Sequence, residues 1–216
     1  IPGQEIPFIE PSDLDGAVLN PATLPLEADG SPKPGNASST ITMNLFNING
    51  VAGTHDLAGV DYTANPKENS ARYVRVGDTV ELQVSNPSAL HHPFHMHGFS
   101  FQPVSLTSGG TTTTFPPEFV DSVDVPSGAT LTYRFKAEER PQMDGVTPGG
   151  ALGRWVFHCH IFFHHVAGMG SELVIVDEGG NERPYVDIEQ TVVVGRQGEI
   201  VTLDGTVMDP EGDDLT

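Results

Sequence analysis

The sequence has one cysteine, few basic residues and no long apolar run. Cys159 stands alone among 216 residues, so no disulfide can form within the chain. Lys and Arg total 10 against 29 Asp and Glu, and this formal net charge of −19 argues against nucleic-acid and anionic-membrane partners. No apolar segment approaches the roughly 20 residues of a membrane span. The amino terminus at Ile1 lacks an initiating Met and a signal-peptide pattern, which is typical of a processed or excised chain.

Turn-forming residues alternate with β-forming segments along the chain. Gly and Pro number 24 and 18 among runs rich in Val, Thr and Phe, which favours short strands over helices. Longer connections are expected at 107–117 and 137–153, where a β scaffold often carries functional variation. Eight segments have strand-like patterns: 41–48, 73–76, 79–85, 99–104, 119–125, 130–136, 154–160 and 171–176. This number predicts an all-β, Greek-key β-sandwich.

Composition divides the chain into three parts. Residues 1–39 are dense in Pro, Gly, Ser and acids, which indicates an extended linker or surface strap. Residues 40–180 carry the strand patterns and form the predicted sandwich domain. Residues 181–216 are an acidic, glycine-containing extension, in which another strand pair is expected at 190–194 and 200–203.

The end of the chain resembles the opening of a polycystic-kidney-disease-type, immunoglobulin-like repeat. The resemblance lies in Val201-Thr-Leu-Asp-Gly205 and Asp209-Pro-Glu-Gly-Asp-Asp-Leu215. It implies that residues 181–216 begin an incomplete repeat and that the native protein continues past Thr216. The alternative is a simple acidic tail.

Eight of the nine histidines fall into two segments, 91–98 (HHPFHMHG) and 158–165 (HCHIFFHH). Imidazole and thiolate ligands suit copper, zinc and iron, and two His, one Cys and a weak axial Met define the blue-copper site. Cys159, His164 and Met169 supply three of these ligands from one strand end and loop. His92 is then the fourth, from a separate segment. A structural zinc site needs only four tetrahedral ligands, so the number and spacing favour copper.

Strand geometry separates the neighbouring histidines from Cys159. Successive side chains of a strand point to opposite faces, so His158 and His160 face away from the thiol. By the same alternation, His95 and His97, two residues apart, point to one common side. Four imidazoles are too many for another mononuclear site that must still bind a substrate. A polynuclear copper site is the prediction.

With these two histidine motifs, the chain resembles the multicopper oxidases, laccases included. The motifs are His92-Pro93-x-His95-x-His97-Gly98 and His158-Cys159-His160-x3-His164-x4-Met169, which are similar to the paired copper signatures of that family's carboxyl-terminal domain. The strands at 119–128 and 153–157 also agree, and the similarity covers about residues 40–178. The resemblance implies a sandwich of the cupredoxin type.

The resemblance also implies a role for each ligand. His92, Cys159 and His164 would bind type 1 copper, with Met169 axial. His95 would serve the type 2 copper. The type 3 pair would be held by three further residues: His97, His158 and His160.

The family completes its trinuclear cluster with two more His-x-His pairs from an amino-terminal cupredoxin domain. This sequence lacks them, since His55 is the only histidine outside the two clusters. The expected partner is therefore that domain on another chain or fragment, or a second copy in an isologous dimer.

The implied function is a copper-dependent oxidoreductase. A small reductant is oxidised one electron at a time at the type 1 site, coupled to four-electron reduction of dioxygen to water at the trinuclear cluster. An axial Met favours easily oxidised phenols, amines, metal ions or small anions. The alternatives are a non-catalytic blue-copper electron-transfer module and an adhesion module. A secreted or periplasmic location is expected.

Several polar residues near the motifs have simpler interpretations. His91 and His165 adjoin the ligands but fall outside the ligand spacing, so they are expected in a supporting or solvent-exposed role. His55 is expected in a loop. Glu118 and Asp121 are either solvated loop acids or carboxylates that accept a proton from a phenol or guide a metal ion.

Overall fold

The structure is a computed structural model that describes residues 7–19, 39–50, 70–179, 185–188 and 205–208. His55 and the strand pair expected at 190–194 and 200–203 lie outside the described residues. Within these ranges the regular elements are thirteen strands, one short helix and one 3-10 turn at Pro11–Asp13. In chain order they are β1 Thr40–Asn44, β2 Asn47–Ile48, β3 Arg72–Arg75, β4 Thr79–Ser85, β5 His92–Met96, β6 Gln102–Ser108, β7 Thr111–Thr114, β8 Ser122–Val125, β9 Thr130–Lys136, β10 Gly153–Cys159, α1 Phe162–Val166, β11 Gly170–Val176, β12 Tyr185–Ile188 and β13 Gly205–Met208.

Two sheets form the domain. One has six strands in the order β2-β1-β4-β9-β6-β7, and the other has five in the order β3-β11-β10-β5-β8. Most neighbours are antiparallel, whereas β1 with β4 and β3 with β11 are parallel pairs that close the sheets with strands distant in sequence. The prediction of an all-β sandwich is confirmed. In the described part of the chain, no helix is both long and apolar enough to cross a membrane.

The core between the sheets is built around Phe94 of β5. Its ring centroid lies 5.4 Å from Tyr133, 5.6 Å from Phe101 and 5.9 Å from Phe157. All four side chains are essentially buried. Aromatic pairs of this kind contribute about 0.5–1.5 kcal/mol each beyond their buried area. Because Phe94 lies between the histidines of segment 91–98, this packing also fixes the strand that carries the candidate metal ligands.

The sequence misassigned three segments, and it began two further strands, predicted at 99–104 and 119–125, three residues before β6 and β8. The segment 41–48 is a hairpin of β1 and β2, because the chain turns at Phe46, whose φ is +65°. The expected connection 107–117 contains β7, an exposed strand of four threonines that pairs with β6. The segment 92–96 is strand β5, absent from the predicted strands, because its His and Pro residues mask the alternation of the buried residues.

The described part of the amino-terminal segment packs along the sandwich. The backbone N–H of Ile9 donates to Gln102 Oε1 at 2.8 Å, and Arg134 Nη1 donates to the carbonyl of Ile9 at 2.8 Å. Leu19 forms an antiparallel bridge with Tyr73. Ile9 and Leu19 are buried, so residues 7–19 add apolar contacts to the domain.

Candidate metal centre

Adjacent strands β5 and β10 position most of the candidate ligands. They pair antiparallel, with Cys159 opposite Phe94 and His158 opposite His95. Since side chains alternate across a sheet, Cys159 points to the core side with Phe94, and His158 points to the outer side with His95. The two strands therefore divide the ligands between two faces of one sheet.

On the core side lies the inner triad, which we define as His92, Cys159 and His164. Cys159 Sγ is 3.7 Å from His92 Nδ1 and 3.5 Å from His164 Nδ1, and the two Nδ1 atoms are 3.2 Å apart. An ion bound in the plane of three ligands at about 2.0–2.3 Å would separate them by about 3.5–4.0 Å. The triad is close to this size, and its soft thiolate and two imidazoles are the donors that copper prefers.

Backbone hydrogen bonds tie Met169 to the inner triad. The N–H of Cys159 donates to the carbonyl of Met169 at 3.0 Å, and the N–H of Met169 donates to the carbonyl of His164 at 2.9 Å. Helix α1 and the turn after it bring His164 back toward Cys159. Met169 is fully buried at this position, beside both ligands.

On the outer side lies the outer cluster, which comprises His95, His97, His158 and His160. His97 Nε2 and His158 Nε2 are 3.1 Å apart, and the His95 ring centroid is 4.8 Å from His97, 5.3 Å from His158 and 5.1 Å from His160. His95, His97 and His158 can place one nitrogen each within 4.8 Å of one another. These side chains are half-buried or exposed, so the cluster opens to the surface.

Backbone carbonyls orient two imidazoles of the outer cluster. His95 Nδ1 lies 2.8 Å from the carbonyl oxygen of Asp121, and His158 Nδ1 lies 2.9 Å from that of Cys159. A carbonyl only accepts, so each Nδ1 carries the proton and each Nε2 keeps a lone pair. Both rings therefore offer Nε2 as the ligand atom, as metal-binding histidines with a supporting carbonyl do.

Burial keeps three of the candidate ligand imidazoles neutral. Desolvation lowers the pKa of His92 to about 4, with a smaller contribution from His164. Desolvation also lowers the pKa of His158 to about 4 and lowers that of His97. Burial raises the pKa of the Cys159 thiol. At neutral pH the lone pairs of these three imidazoles are therefore available, whereas a metal must displace the thiol proton.

Residues expected to lie outside the ligand set have other contacts. The exposed His91 pairs with Asp124, with 2.8 Å between Nδ1 and Oδ2. The ring of His165 lies 4.3 Å from that of His158, so it packs behind the outer cluster. Asp121 contributes its backbone carbonyl to His95, and Glu118 is exposed.

Two polar residues beside the inner triad were missed by sequence reasoning. Ser88 Oγ lies 2.6 Å from His92 Nε2, and the fully buried Asn86 holds Ser88. The only signal in the sequence is their proximity to His92. Gly98, directly after His97, was quoted only as part of the motif, yet it is the close-contact point where the chain passes the ring of Trp155.

The sandwich and its Cys-His triad define a protein of the cupredoxin class. The multicopper oxidase family model matches residues 36–179, which is more than half of the chain. The chain therefore belongs to the multicopper oxidase family, and this membership implies copper as its metal.

Individual relatives are similar over the same region. The iron multicopper oxidase fer1 of Mycosarcoma maydis is 33% identical over 114 residues, which cover 48% of this chain and 16% of that protein. Laccase-21 of Oryza sativa subsp. japonica is 29% identical over 49% of this chain and 18% of its own length. The multicopper oxidase MmcO of Mycobacterium tuberculosis is 30% identical over 56% of this chain and 22% of its own. The matched region is thus about a fifth of these relatives.

Two solved structures of multicopper oxidases also match part of this chain. McoA of Aquifex aeolicus is 26% identical, with a TM-score of 0.47 over 71% of this chain and 31% of that one. The metallo-oxidase of Campylobacter jejuni is 22% identical, with a TM-score of 0.47 over 63% of this chain and 29% of its own.

Proposed function

We propose that this chain provides the type 1 copper site and half of the trinuclear site of a laccase-like oxidase. A reductant gives up four electrons one at a time, and these electrons with four protons convert dioxygen to two water molecules. The observation that carries the proposal is that Cys159 belongs to the inner triad while its neighbour His158 belongs to the outer cluster. Bound copper would supply the one-electron redox chemistry and the site for dioxygen.

The polypeptide itself connects the two groups of ligands. From Cys159 Sγ, a covalent route runs through the Cys159 backbone to His158 on one side and to His160 on the other. The hydrogen bond from His158 Nδ1 to the Cys159 carbonyl adds a second, shorter connection. Electrons that arrive at the thiolate therefore have a continuous bonded route to the outer cluster.

The half-buried His164 is the proposed entry point for electrons. His92 is fully buried, so it cannot meet a reductant. The ring of Phe46 approaches that of His164 edge-on, at 6.1 Å between centroids, and Phe46 is 45% exposed. Aromatic surface beside an accessible imidazole supports phenols and aromatic amines as reductants. Metal ions and small anions remain the other classes to assay.

The open face of the outer cluster favours a partner that supplies further ligands. Its four imidazoles lie on an open face, and a dioxygen site needs metals enclosed on all sides. We propose that an amino-terminal cupredoxin domain, or another chain carrying one, covers this face with additional His-x-His pairs. An isologous dimer that pools two copies of the cluster is the alternative arrangement.

Metal analysis tests the proposal together with spectroscopy and solution mass. The copper-loaded chain should show the thiolate-to-copper absorption band and the type 1 electron-paramagnetic-resonance signal. Dioxygen uptake should require an assembly with about four copper ions per functional unit. A copper-loaded chain without the thiolate band would contradict the type 1 assignment.

Two variants separate the two groups of ligands. Cys159→Ser should abolish the thiolate band and dioxygen uptake together. His158→Ala should keep the band and lose dioxygen uptake in the assembled protein. If one copper per chain and no dioxygen uptake are found in every assembly state, the non-catalytic electron-transfer module is the correct function.

We further propose that residues 181–216 begin an immunoglobulin-like repeat and that the protein is secreted or periplasmic. Strand β12 pairs antiparallel with β13, from Tyr185 opposite Met208 to Ile188 opposite Gly205. A strand pair supports the start of an immunoglobulin-like repeat over a featureless acidic tail. We propose a secreted or periplasmic location on the same resemblance, and fractionation of the native cells tests it.

A further inference from the structure

A buried amide lies behind the inner triad. Asn86 is fully buried, and its Nδ2 donates to the carbonyls of Leu90 at 2.7 Å and Val125 at 2.8 Å. Both N–H bonds are thereby used, and both acceptors are carbonyls, so the amide can have only this orientation. Its Oδ1 therefore faces Ser88, where it accepts from the backbone N–H at 3.0 Å.

The orientation of the amide decides where the hydroxyl proton of Ser88 points. Ser88 Oγ lies 2.7 Å from Asn86 Oδ1, and two oxygens at that distance need a proton between them. Ser88 has one proton to donate, so it donates to Asn86. The Leu90 carbonyl also lies 3.3 Å from Ser88 Oγ, but this distance makes it a weaker acceptor for the proton than Asn86 Oδ1. Ser88 Oγ therefore accepts from His92 Nε2 at 2.6 Å and from the N–H of Leu90 at 3.3 Å.

The direction of these hydrogen bonds also decides which nitrogen of His92 carries the proton. Because Ser88 Oγ accepts from His92 Nε2, the imidazole carries its proton on Nε2 and its lone pair on Nδ1. Nδ1 is the atom that faces Cys159 Sγ at 3.7 Å and His164 Nδ1 at 3.2 Å. We propose that Asn86 and Ser88 are positioning residues that select the Nε2–H tautomer of His92 and so prepare Nδ1 to bind copper.

This inference rests on the proposed type 1 site but concerns the protein before copper binds. Without Ser88, the buried Nε2 would lose its acceptor and the imidazole would be free to place its proton on Nδ1. That tautomer directs an N–H at the thiol and cannot bind a metal through Nδ1. The expected result is a ligand that must exchange its proton before each binding event, at a cost in copper affinity.

Nuclear magnetic resonance of the full chain, with labelled histidine, tests the tautomer directly. In the copper-free protein at pH 7, the ring shifts of His92 should report the Nε2–H form. Ser88→Ala should convert this to a mixture or to the Nδ1–H form, and Ser88→Thr should restore it. Asn86→Ala should move the shifts in the same direction as Ser88→Ala.

Copper affinity provides the second measurement. Ser88→Ala should weaken Cu(II) binding at the type 1 site by about 10–100-fold, as the loss of a partner behind a metal-binding histidine commonly does. Ser127→Ala is the matched control, since the Ser127 hydroxyl, in the neighbouring β8–β9 turn, donates to the Ser88 carbonyl at 2.7 Å and has no hydrogen bond to His92. It should leave tautomer and affinity unchanged.

The two measurements separate failure of this inference from failure of the proposed function. An Nδ1–H form in the copper-free wild type, or unchanged shifts and affinity in Ser88→Ala, would overturn the positioning role. A lower melting temperature alone, with the tautomer unmoved, would also overturn it. If the thiolate band is absent in copper-loaded wild type while the tautomer responds as expected, the error lies in the type 1 assignment.

Discussion

At the scale of residues, the inner triad combines the neutral imidazole of His92 with a Cys159 thiol that keeps its proton. Desolvation lowers the pKa of His92 and raises that of Cys159, and both shifts disfavour charge in a buried place. A metal ion reverses this for Cys159 by supplying positive charge. Binding of copper should therefore release the thiol proton, and affinity should rise with pH until the thiol ionises unaided.

Met169 provides the first residue-scale prediction. Its position is fixed through the backbone, so Met169→Leu should keep the triad and cost less than about 1.5 kcal/mol of folding free energy. If Met169 is the axial ligand, removing its thioether should raise the reduction potential of the type 1 site while the thiolate band persists. Redox titration measures the potential, and an unchanged value would exclude an axial role.

At the scale of elements, the pairing of β5 with β10 creates the site. Pairing places His95 opposite His158 on the outer face, and the N–H of His97 donates to the carbonyl of Val156 at 2.8 Å, which extends the ladder past the end of β5. The turn that follows must then pass the ring of Trp155. That ring is held by a hydrogen bond from its Nε1 to the carbonyl of Ala151 at 2.8 Å.

Gly98 is the point where this turn tolerates no side chain. Its φ is +77°, and an added Cβ would overlap the ring of Trp155. Gly98→Ala should lower the free energy of unfolding by about 2–4 kcal/mol and displace His97. Chemical denaturation measures the loss, and a shifted spectrum of metal bound at the outer cluster reports the displacement.

Gly110 in the β6–β7 turn is the matched control. Its φ of +79° is nearly the same, but nothing lies within 4 Å of an added Cβ. Gly110→Ala should therefore cost only the backbone strain, about 1 kcal/mol. Equal losses in the two variants would show that contact with Trp155 is unimportant.

At the scale of the whole molecule, the sandwich buries one group of ligands and exposes the other. The inner triad belongs to the side filled by Phe94 and its aromatic neighbours, whereas the outer cluster opens to solvent.

The buried and half-buried imidazoles also make the stability of the metal-free chain depend on pH. His92 and His158 have pKa values of about 4 when folded and ordinary values near 6.5 when unfolded.

Acid should therefore destabilise the metal-free chain. Between pH 6.5 and about 4 the unfolded chain binds more protons than the folded chain, so the free energy of unfolding falls as the pH falls through this window. Urea midpoints at pH 7 and pH 5 measure the fall. His158→Gln should reduce it, whereas the same change at the exposed His91 should not; a fall of equal size in both variants would contradict the assignment.

The sequence by itself determined the class of fold and the residues of the candidate site. Alternation of apolar and polar residues in segments such as 79–85 and 130–136 predicts strands with one buried face. Strands β4 and β9 have these bounds. The spacing of Cys159, His164 and Met169 is local, so one strand end and one loop suffice to bring them together. That the side chains of His158 and Cys159 point to opposite faces of the sheet follows from strand geometry alone.

Only the tertiary structure decided which distant groups meet these residues. Strand β5 is stabilised by the packing of Phe94 and by pairing with β10, and neither is visible in a segment of His and Pro residues. The proposed tautomer of His92 depends on Ser88 and, behind it, on Asn86, which donates to the carbonyl of Val125, 39 residues away. Ligand types and local spacing are properties of the chain, whereas the direction of a lone pair depends on hydrogen bonds that only folding creates.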